Sequence, residues 1–330
     1  MAQAVGFSPT AASGTPAVMN RTGLWVVLAL AVAIGAIFAA FPDLDLRITR
    51  FFFEPRSRWF LLTYYMFVDG HMWLLRLRDA TMWIVTALAL APVAALILKL
   101  LRPTKSMLMS PRSIMFLLGT LALAPGVLAN GVLKEHWGRP RPIEVREFNG
   151  SEAFVPWWDP RGTCDQNCSF ISGEGAGAFW TLAPAALAPP PVRAAAYAAS
   201  LAFGSAVGVM RIAVGGHFFT DIAFAGVFTF LIVWIAYALL FRWPVPLPSD
   251  ATIERAIERL VMPLHAALGR TLALRQRPGP ARKDSVGSHE TLPVDHQKGV
   301  RERETGADLL DVDMGFDPVA QLGRTDKIRG

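Results

Sequence analysis

The chain has 330 residues, of which 53% are hydrophobic, an apolar share that is high for a soluble protein. These residues form long blocks, which indicates an integral membrane protein. The formal net charge is +6, but no stripe of basic and aromatic residues is present, so nucleic acid is excluded as a partner. The lipid bilayer, with its anionic headgroups, is the partner that this charge favours.

Six apolar segments follow an N-terminal stretch, residues 1–22, that is rich in small residues and predicts a disordered tail. Most of the segments approach the roughly 20 residues that a helix needs to cross a bilayer. The sequence therefore predicts an all-α, polytopic membrane protein with six transmembrane helices. Their predicted positions are 23–42, 80–101, 113–133, 174–190, 194–212 and 218–241. We expect no cleavable signal peptide, because the first apolar block starts late and is long enough to span.

The topology follows from the loops between these segments. Residues 42–79 contain an apolar run of only about half a span, which predicts an interfacial or re-entrant segment on the periplasmic side. The loop 102–112 carries three basic residues and no acid, so it is expected in the cytoplasm, together with both termini. Six arginines in 42–79 argue against this orientation. With the loop 102–112 in the cytoplasm, the loop 134–173 is expected in the periplasm.

The C-terminal region, 242–330, is predicted to be a cytoplasmic tail. Within it, residues 250–275 place apolar side chains at helical spacing, which predicts either an amphipathic helix on the inner leaflet or a solvated helix that packs on nothing. Residues 276–330 are polar and mixed in charge, and we expect them to be disordered.

Three short sequences carry the candidate chemistry. The first runs from Lys134 to Pro142 as KEHWGRPRP, the second is Ser172-Gly173-Glu174, and the third runs from Arg211 to Asp221 as RIAVGGHFFTD. In an up-and-down arrangement of six helices, all three lie at helix ends on the same side of the membrane. The sequence therefore predicts that they converge on one site.

The cations of these motifs suit a phosphate ester. Lys134, Arg141 and Arg211 match its charge, because arginine offers a planar fork for two oxygens and lysine a point charge. Ser172 and Gly173 open a helix and would add backbone N–H donors. A single cation at a helix end is more often an interface anchor, so the argument depends on the combination.

The third motif offers a nucleophile. His217 and Asp221 are four residues apart on a predicted helix, hence on one face. A carboxylate there can hold one ring nitrogen protonated and leave the other free to attack phosphorus. Alone, such a pair is usually only a satisfied polar contact.

Taken together, the motifs resemble the type 2 phosphatidic acid phosphatase superfamily, which also includes vanadium haloperoxidases. Its pattern is Lys-x6-Arg-Pro, then Pro-Ser-Gly-His, then Ser-Arg-x5-His-x3-Asp. The first motif matches fully; the second has Ile171 for proline and Glu174 for histidine; the third has Met210 for serine. The resemblance covers about 23–241, and it implies a phosphatidic-acid-phosphatase-like helical bundle.

The resemblance also implies an activity and residue roles. His217 would form a phosphohistidine and Asp221 would orient it, while Lys134, Arg141, Ser172, Gly173 and Arg211 would bind the phosphate. Members are metal-independent lipid phosphatases, so no metal or cofactor is expected. We therefore expect an inner-membrane enzyme whose site faces the periplasm.

Glu174 stands where the family has the histidine that protonates the leaving oxygen. A glutamate could do this only while protonated, yet the neighbouring cations favour its charged form. Four explanations remain open: Glu174 is a tuned acid, the leaving group is already good, His136 supplies the proton, or the enzyme is weak or inactive. A working enzyme is favoured, since the other charged residues are intact.

The substrate is expected to be a membrane lipid phosphate. Lipid A and undecaprenyl diphosphate are favoured over phosphatidylglycerophosphate and phosphatidate, because they offer a good leaving group or a large anionic headgroup. Two alternatives are a lipid phosphotransferase that uses the same site and a non-catalytic lipid-binding or transport protein on the same fold. The sequence leaves the oligomeric state open.

Cys164 and Cys168 are the only cysteines of the chain, and both lie in the predicted periplasmic loop. In an oxidising compartment they could close a small disulfide loop. Spacing alone also permits two free thiols, and a zinc site is less favoured because its further ligands show no recognised spacing.

Overall fold

The structure is a computed structural model that describes residues 18–71 and 73–275. The disordered tails predicted for 1–22 and 276–330 lie outside these ranges, except for residues 18–22. Met19 is fully buried, and the Asn20 side chain accepts a hydrogen bond from Gly23 N and caps the first helix, so the folded part begins earlier than predicted. The chain divides after Ala266 into two units, and the contacts described below lie within the first.

The first half of the described chain contains six α-helices and one small hairpin. They are α1 (Arg21–Ala40), α2 (Asp43–Arg50), β1 (Phe53–Glu54), β2 (Trp59–Phe60), α3 (Leu61–Phe67), α4 (Trp73–Leu101), α5 (Pro111–Leu121) and α6 (Lys134–His136). The two strands pair antiparallel. A π-helical stretch, Ala122–Leu133, joins α5 to α6 without interruption.

The second half continues with helices. Two 3₁₀ turns, Pro142–Glu144 and Arg146–Phe148, precede α7 (Gly173–Phe179), α8 (Leu182–Leu187), α9 (Pro190–Ala213), α10 (Phe219–Tyr237) and α11 (Asp250–Arg275). Another π-helical stretch, Ala238–Arg242, extends α10.

Five stretches of the described chain are long and apolar enough to cross a membrane: Arg21–Ala40, Leu75–Leu101, Pro111–His136, Pro190–Ala213 and Phe219–Arg242. A backbone can cross lipid only when its polar groups bond internally, as they do in a helix. The prediction of a polytopic helical membrane protein is confirmed. The second helix starts earlier than predicted, because Trp73–Asp79 already belongs to α4.

The predicted fourth helix, 174–190, is divided into α7 and α8. α7 packs against the π-helical stretch, α9 and α10, and α8 packs against α5 and α9. The pair is therefore enclosed by longer helices. Where it breaks, the Trp180 indole donates hydrogen bonds to Thr120 Oγ1 and Leu117 O, at 3.0 and 3.2 Å. These bonds attach the break between α7 and α8 to α5.

The helices α2 and α3 of the 42–79 segment are too short to cross a membrane, as expected, and the last residues of the segment begin the spanning helix α4. The segment folds as α2, the hairpin, α3 and the start of α4. The Phe60 ring lies 5.3 Å from the rings of Phe53 and Phe148, which packs the hairpin against the 134–173 segment. The hairpin is thereby placed beside the candidate site.

α11 forms over the predicted range 250–275, and it packs on the protein. The buried Lys99 ammonium donates hydrogen bonds to Glu254 and Glu258, at 2.9 and 2.6 Å. The solvated helix that packs on nothing is therefore excluded. Leu260 and Leu264 are 74% and 69% exposed, which agrees with the predicted contact with the inner leaflet; that contact stays a prediction.

The packing of α7 on α9 generates a stability prediction. The Phe179 ring of α7 lies where a side chain at Gly204 of α9 would stand. We expect Gly204→Ala to cost about 1–3 kcal/mol of stability by overpacking. Thermal unfolding in detergent, followed by circular dichroism, would show a lower midpoint. Gly119→Ala in α5 is the matched control, because no atom lies within 4 Å of the added carbon. Equal midpoints for the two variants would contradict the prediction.

Candidate active site

The three motifs meet around the start of α7. Lys134 begins α6, Arg211 lies in the last turn of α9, and Asp221 lies in the first turn of α10. Because the helices that carry them surround α7, their ends converge beside Glu174, its second residue. The reversal between α9 and α10 uses Gly215, whose φ of +74° is readily adopted only by glycine.

His217 is 1% exposed and is held by a backbone carbonyl. Its Nδ1 lies 2.7 Å from Ser169 O but 3.8 Å from Asp221 Oδ2. A separation of 3.8 Å is too long for a hydrogen bond. A carbonyl can only accept, so Ser169 O fixes the proton on Nδ1 and leaves Nε2 with its lone pair. Asp221, predicted to hold the ring, acts on it through neighbouring groups.

Asp221 organises the loop around His217. Its Oδ2 accepts hydrogen bonds from the Ser169 hydroxyl and from Phe218 N, the latter at 2.7 Å. Its Oδ1 accepts from Arg139 Nη1 at 2.5 Å. The carboxylate therefore fixes the residue that follows His217 and the residue whose carbonyl orients it.

Arg139 extends this network to α2. It is fully buried, and its Nη2 donates to Asp45 Oδ2 at 2.8 Å, while its Nε donates to Val155 O at 2.9 Å. The Asp45 carboxylate also accepts from Thr220 N at 3.0 Å. Sequence reasoning missed both residues. Arg139 could have been found as a third cation of the first motif, whereas Asp45 lies in a segment read only as interfacial.

Lys134 and Arg141 are linked by Asn167. Its Oδ1 accepts from Arg141 Nη2 at 2.6 Å and from Lys134 Nζ at 3.3 Å. Its backbone carbonyl accepts from Arg141 Nη2 and Nε, at 2.7 and 3.1 Å. One neutral residue therefore holds two of the three predicted cations side by side.

Arg211, the third cation, faces Glu174 at 3.5 Å. Its Nε is buried, and no acceptor for it is found in the part of the chain that the structure describes. Glu174 is paired more closely with Arg78 of α4, whose Nη2 and Nε donate at 2.6 and 3.1 Å. Arg78 was not singled out in the sequence, because no motif surrounds it.

The cations set the charge states of the site. Burial lowers the pKa of His217 to about 4. The nearby Arg211 and Arg141 lower it further, and Asp221 acts in the opposite direction. Burial by itself would raise the pKa of Glu174, but Arg211 and Arg78 bring it down to about 2. At neutral pH the imidazole is therefore uncharged and the carboxyl is ionised. A tuned, protonated Glu174 does not fit this environment.

Ser172 and Gly173 build the start of α7. The Ser172 hydroxyl caps the helix by accepting from Gly175 N at 3.0 Å. The Asn130 side chain occupies the place that a side chain at Gly173 would need. Glycine there allows α7 to approach the neighbouring helix, and the predicted contact of both residues with phosphate stays a prediction.

Two further expectations concern Cys164, Cys168 and His136. The structure joins the cysteines in a disulfide. Within the described residues, no group of three or more His, Cys, Asp or Glu is placed to hold a metal ion. His136 is exposed, and its Nδ1 lies 3.0 Å from Val132 O in its own helix. This geometry gives no support to His136 as the proton donor.

Known proteins similar to the chain support the family resemblance. A sequence model of the PAP2 superfamily matches residues 113–244, which include all three motifs. The lipid A 4′-phosphatase of Francisella tularensis subsp. novicida is 34% identical over 220 residues, which cover 66% of this chain and 96% of that protein. The lipid A 4′-phosphatases of Rhizobium leguminosarum and Rhizobium etli are 40% and 37% identical over 123 residues, about half of each protein. No solved structure matches the chain.

The buried network generates a prediction on Arg139. Arg139→Met would leave Asp45 and Asp221 buried without their cation, and removing one partner of such a network costs about 3–5 kcal/mol. We expect a large drop in the thermal midpoint in detergent. Arg161→Met is the control, because Arg161 pairs with Asp159 on the surface and should change the midpoint little. A midpoint for Arg139→Met close to that of Arg161→Met would contradict the buried charge balance.

Proposed function

Because the chain belongs to the PAP2 superfamily and is a membrane lipid phosphatase of that type, we propose that it hydrolyses the 4′-phosphate ester of lipid A. The similar proteins bear the name lipid A 4′-phosphatase, and the Francisella protein is matched over nearly its whole length. The alternative substrates are undecaprenyl diphosphate, phosphatidylglycerophosphate and phosphatidate. A phosphate-release assay distinguishes them from lipid A.

The observation that supports this proposal is the buried Arg211 side chain, whose Nε lacks a hydrogen-bond acceptor among the described residues. A buried N–H without an acceptor is costly. Lys134 and Arg141 add two further cations. A phosphate group would supply the missing acceptor and the opposite charge, and arginine suits its oxygens geometrically.

His217 is the proposed nucleophile. Its Nε2 lone pair attacks phosphorus, an N–P bond forms, and the bond between phosphorus and the sugar oxygen breaks. Water then attacks phosphorus, the N–P bond breaks, and inorganic phosphate leaves while the imidazole is restored. The pKa of about 4 keeps the nitrogen unprotonated at neutral pH, and Ser169 O keeps the proton on Nδ1.

Glu174 is proposed to organise cations rather than to donate a proton. A 4′-phosphate is an ester of an ordinary sugar hydroxyl, so its leaving oxygen must be protonated. An ionised carboxylate cannot supply that proton. Because the side chains of Arg78 and Glu174 are 27% and 18% exposed, we propose that water reaches this edge of the site and protonates the oxygen.

The proposed location is the bacterial inner membrane, with the site facing the periplasm. The Cys164–Cys168 disulfide lies next to the site and favours an oxidising compartment. The basic loop 102–112 lies between the second and third long helices, at the end of α4 away from Arg78, which favours the cytoplasm for that side. Both termini would then be cytoplasmic.

A phosphate-release assay tests the reaction. The purified protein should release inorganic phosphate from lipid A without added metal, and His217→Ala should lower the rate at least about 1,000-fold, as expected when a covalent nucleophile is lost. A panel with the other three lipids tests the choice of substrate. Transfer of phosphate to a second lipid instead of water would favour the phosphotransferase alternative. Equal silence of the wild type and His217→Ala across the panel would favour a binding or transport protein.

Glu174→His tests the role of the departure from the family pattern. This change restores the family residue but removes the anion that Arg78 and Arg211 share. We expect the rate on lipid A to fall by about tenfold or more, because two cations lose a charge-assisted partner. Glu174→Asp, which keeps the charge, should retain more activity. An increase in rate for Glu174→His would instead show that the wild type lacks a proton donor at this position.

A further inference from the structure

The disulfide loop Cys164–Cys168 lies directly on the first motif. Cys164 N donates to Gly138 O at 3.1 Å, and Cys168 N donates to Lys134 O at 3.0 Å. The next residue, Ser169, donates from its N to Arg139 O at 2.8 Å. The loop is therefore tied by its backbone to the segment that carries Lys134 and Arg141.

Asn167 occupies a constrained place inside this loop. Its φ is +51°, in the left-handed region that only glycine, asparagine and aspartate adopt readily. The disulfide closes the chain on either side of it. In this conformation both oxygens of Asn167 face cations: Oδ1 contacts Arg141 Nη2 and Lys134 Nζ, and the backbone oxygen contacts Arg141 Nη2 and Nε.

These contacts have an electrostatic purpose. Two cations held together without an anion repel each other, and a long side chain also loses conformational freedom when it is fixed. A neutral amide oxygen between them reduces the repulsion, yet it adds no negative charge to compete with phosphate. Asn167 thus fixes the spacing of Arg141 and Lys134 before the phosphate arrives, which is preorganisation of a binding site.

We propose that the Cys164–Cys168 loop is part of the phosphate site, with Asn167 as a positioning residue for Arg141 and Lys134, so that tight binding of phosphate requires the oxidised loop. The proposal rests on the proposed function in one respect, that the ligand of these cations is the phosphate of the substrate. Reduction by a dithiol would transfer two electrons and two protons to the S–S bond, giving two thiols and an oxidised dithiol. The loop closure that fixes Asn167 would then be lost.

Asn167→Gly tests the side chain alone. Glycine keeps the left-handed backbone and the backbone oxygen, and it removes the amide side chain with its Oδ1. We expect about tenfold weaker binding of inorganic phosphate by calorimetry, and a similar rise in KM for the lipid with kcat changed less than about threefold, since a hydrogen bond to a charged group is lost. Asn149→Gly is the matched control: Asn149 is exposed, has φ of +73° and lies outside the site. Unchanged or tighter phosphate binding by Asn167→Gly would overturn the positioning role.

The double variant Cys164→Ser with Cys168→Ser tests the loop. Its phosphate affinity should fall in the same direction, and wild-type protein treated with a dithiol should match it, while the double variant should not respond to the dithiol. Alkylation followed by mass measurement verifies that the thiols are free, and thermal midpoints verify that each variant is folded. Equal phosphate affinity of oxidised and fully reduced wild type would overturn the redox requirement.

These outcomes separate the two proposals. If the wild type releases phosphate from lipid A and all variants bind phosphate equally, the loop inference fails and the proposed function stands. If the wild type binds phosphate with the expected dependence on Asn167 but releases none from any lipid, the proposed function fails and the loop inference stands. A wild type that binds no phosphate contradicts the loop inference, and the proposed function fails with it only if no lipid of the panel releases phosphate.

Discussion

The candidate site depends on one buried guanidinium, that of Arg139, which lies between the carboxylates of Asp221 and Asp45. Charges taken out of water are tolerated when they are paired and hydrogen-bonded, and each of these groups is. Because Asp45 comes from α2 and Asp221 from α10, the guanidinium joins the 42–79 segment to the long helices. Asp221 then fixes Ser169 and Phe218, and Ser169 O fixes His217. Three successive contacts, Arg139 with Asp221, Asp221 with Ser169, and Ser169 with His217, thus set the position of the proposed nucleophile.

The same arrangement separates the charges of the site into two regions. In one region, Arg139 is balanced by the carboxylates of Asp45 and Asp221. In the other, Lys134, Arg141, Arg211 and Arg78 are cations, and Glu174 pairs with Arg78 and Arg211. Among the described residues no other acid forms an ion pair with these four cations, so the region favours a further anion. The proposed phosphate ester is an anion of suitable charge, and Asn167 and Glu174 keep these cations in place for it.

Periodicity and motif spacing were sufficient to predict the long helices and the convergence of the motif residues. Long apolar blocks indicate helices that cross the bilayer, so the five long spans could be located from the sequence. The helical spacing of apolar residues located α11. The division of the 174–190 segment could not, because it depends on burial of α7 and α8 by neighbouring helices rather than on the local pattern. Partners at long sequence separation were also missed: Asp45, Arg78 and Asn167 carry no motif of their own. Their contacts arise only when the chain has folded, and a single sequence contains no signal for them.

Glu174 illustrates why the fold is needed to interpret a departure from a motif. In sequence, a glutamate in place of histidine looks like the loss of a proton donor. In the structure, Arg78 reaches the same carboxylate from α4, 96 residues away in the chain. Histidine could not accept two hydrogen bonds from one guanidinium while also facing Arg211, so glutamate and Arg78 form one unit that replaces the family residue. We therefore interpret the departure at 174 as an exchange of the proton donor that the family resemblance implies for an ion pair, which holds a fourth cation at the edge of the proposed phosphate site.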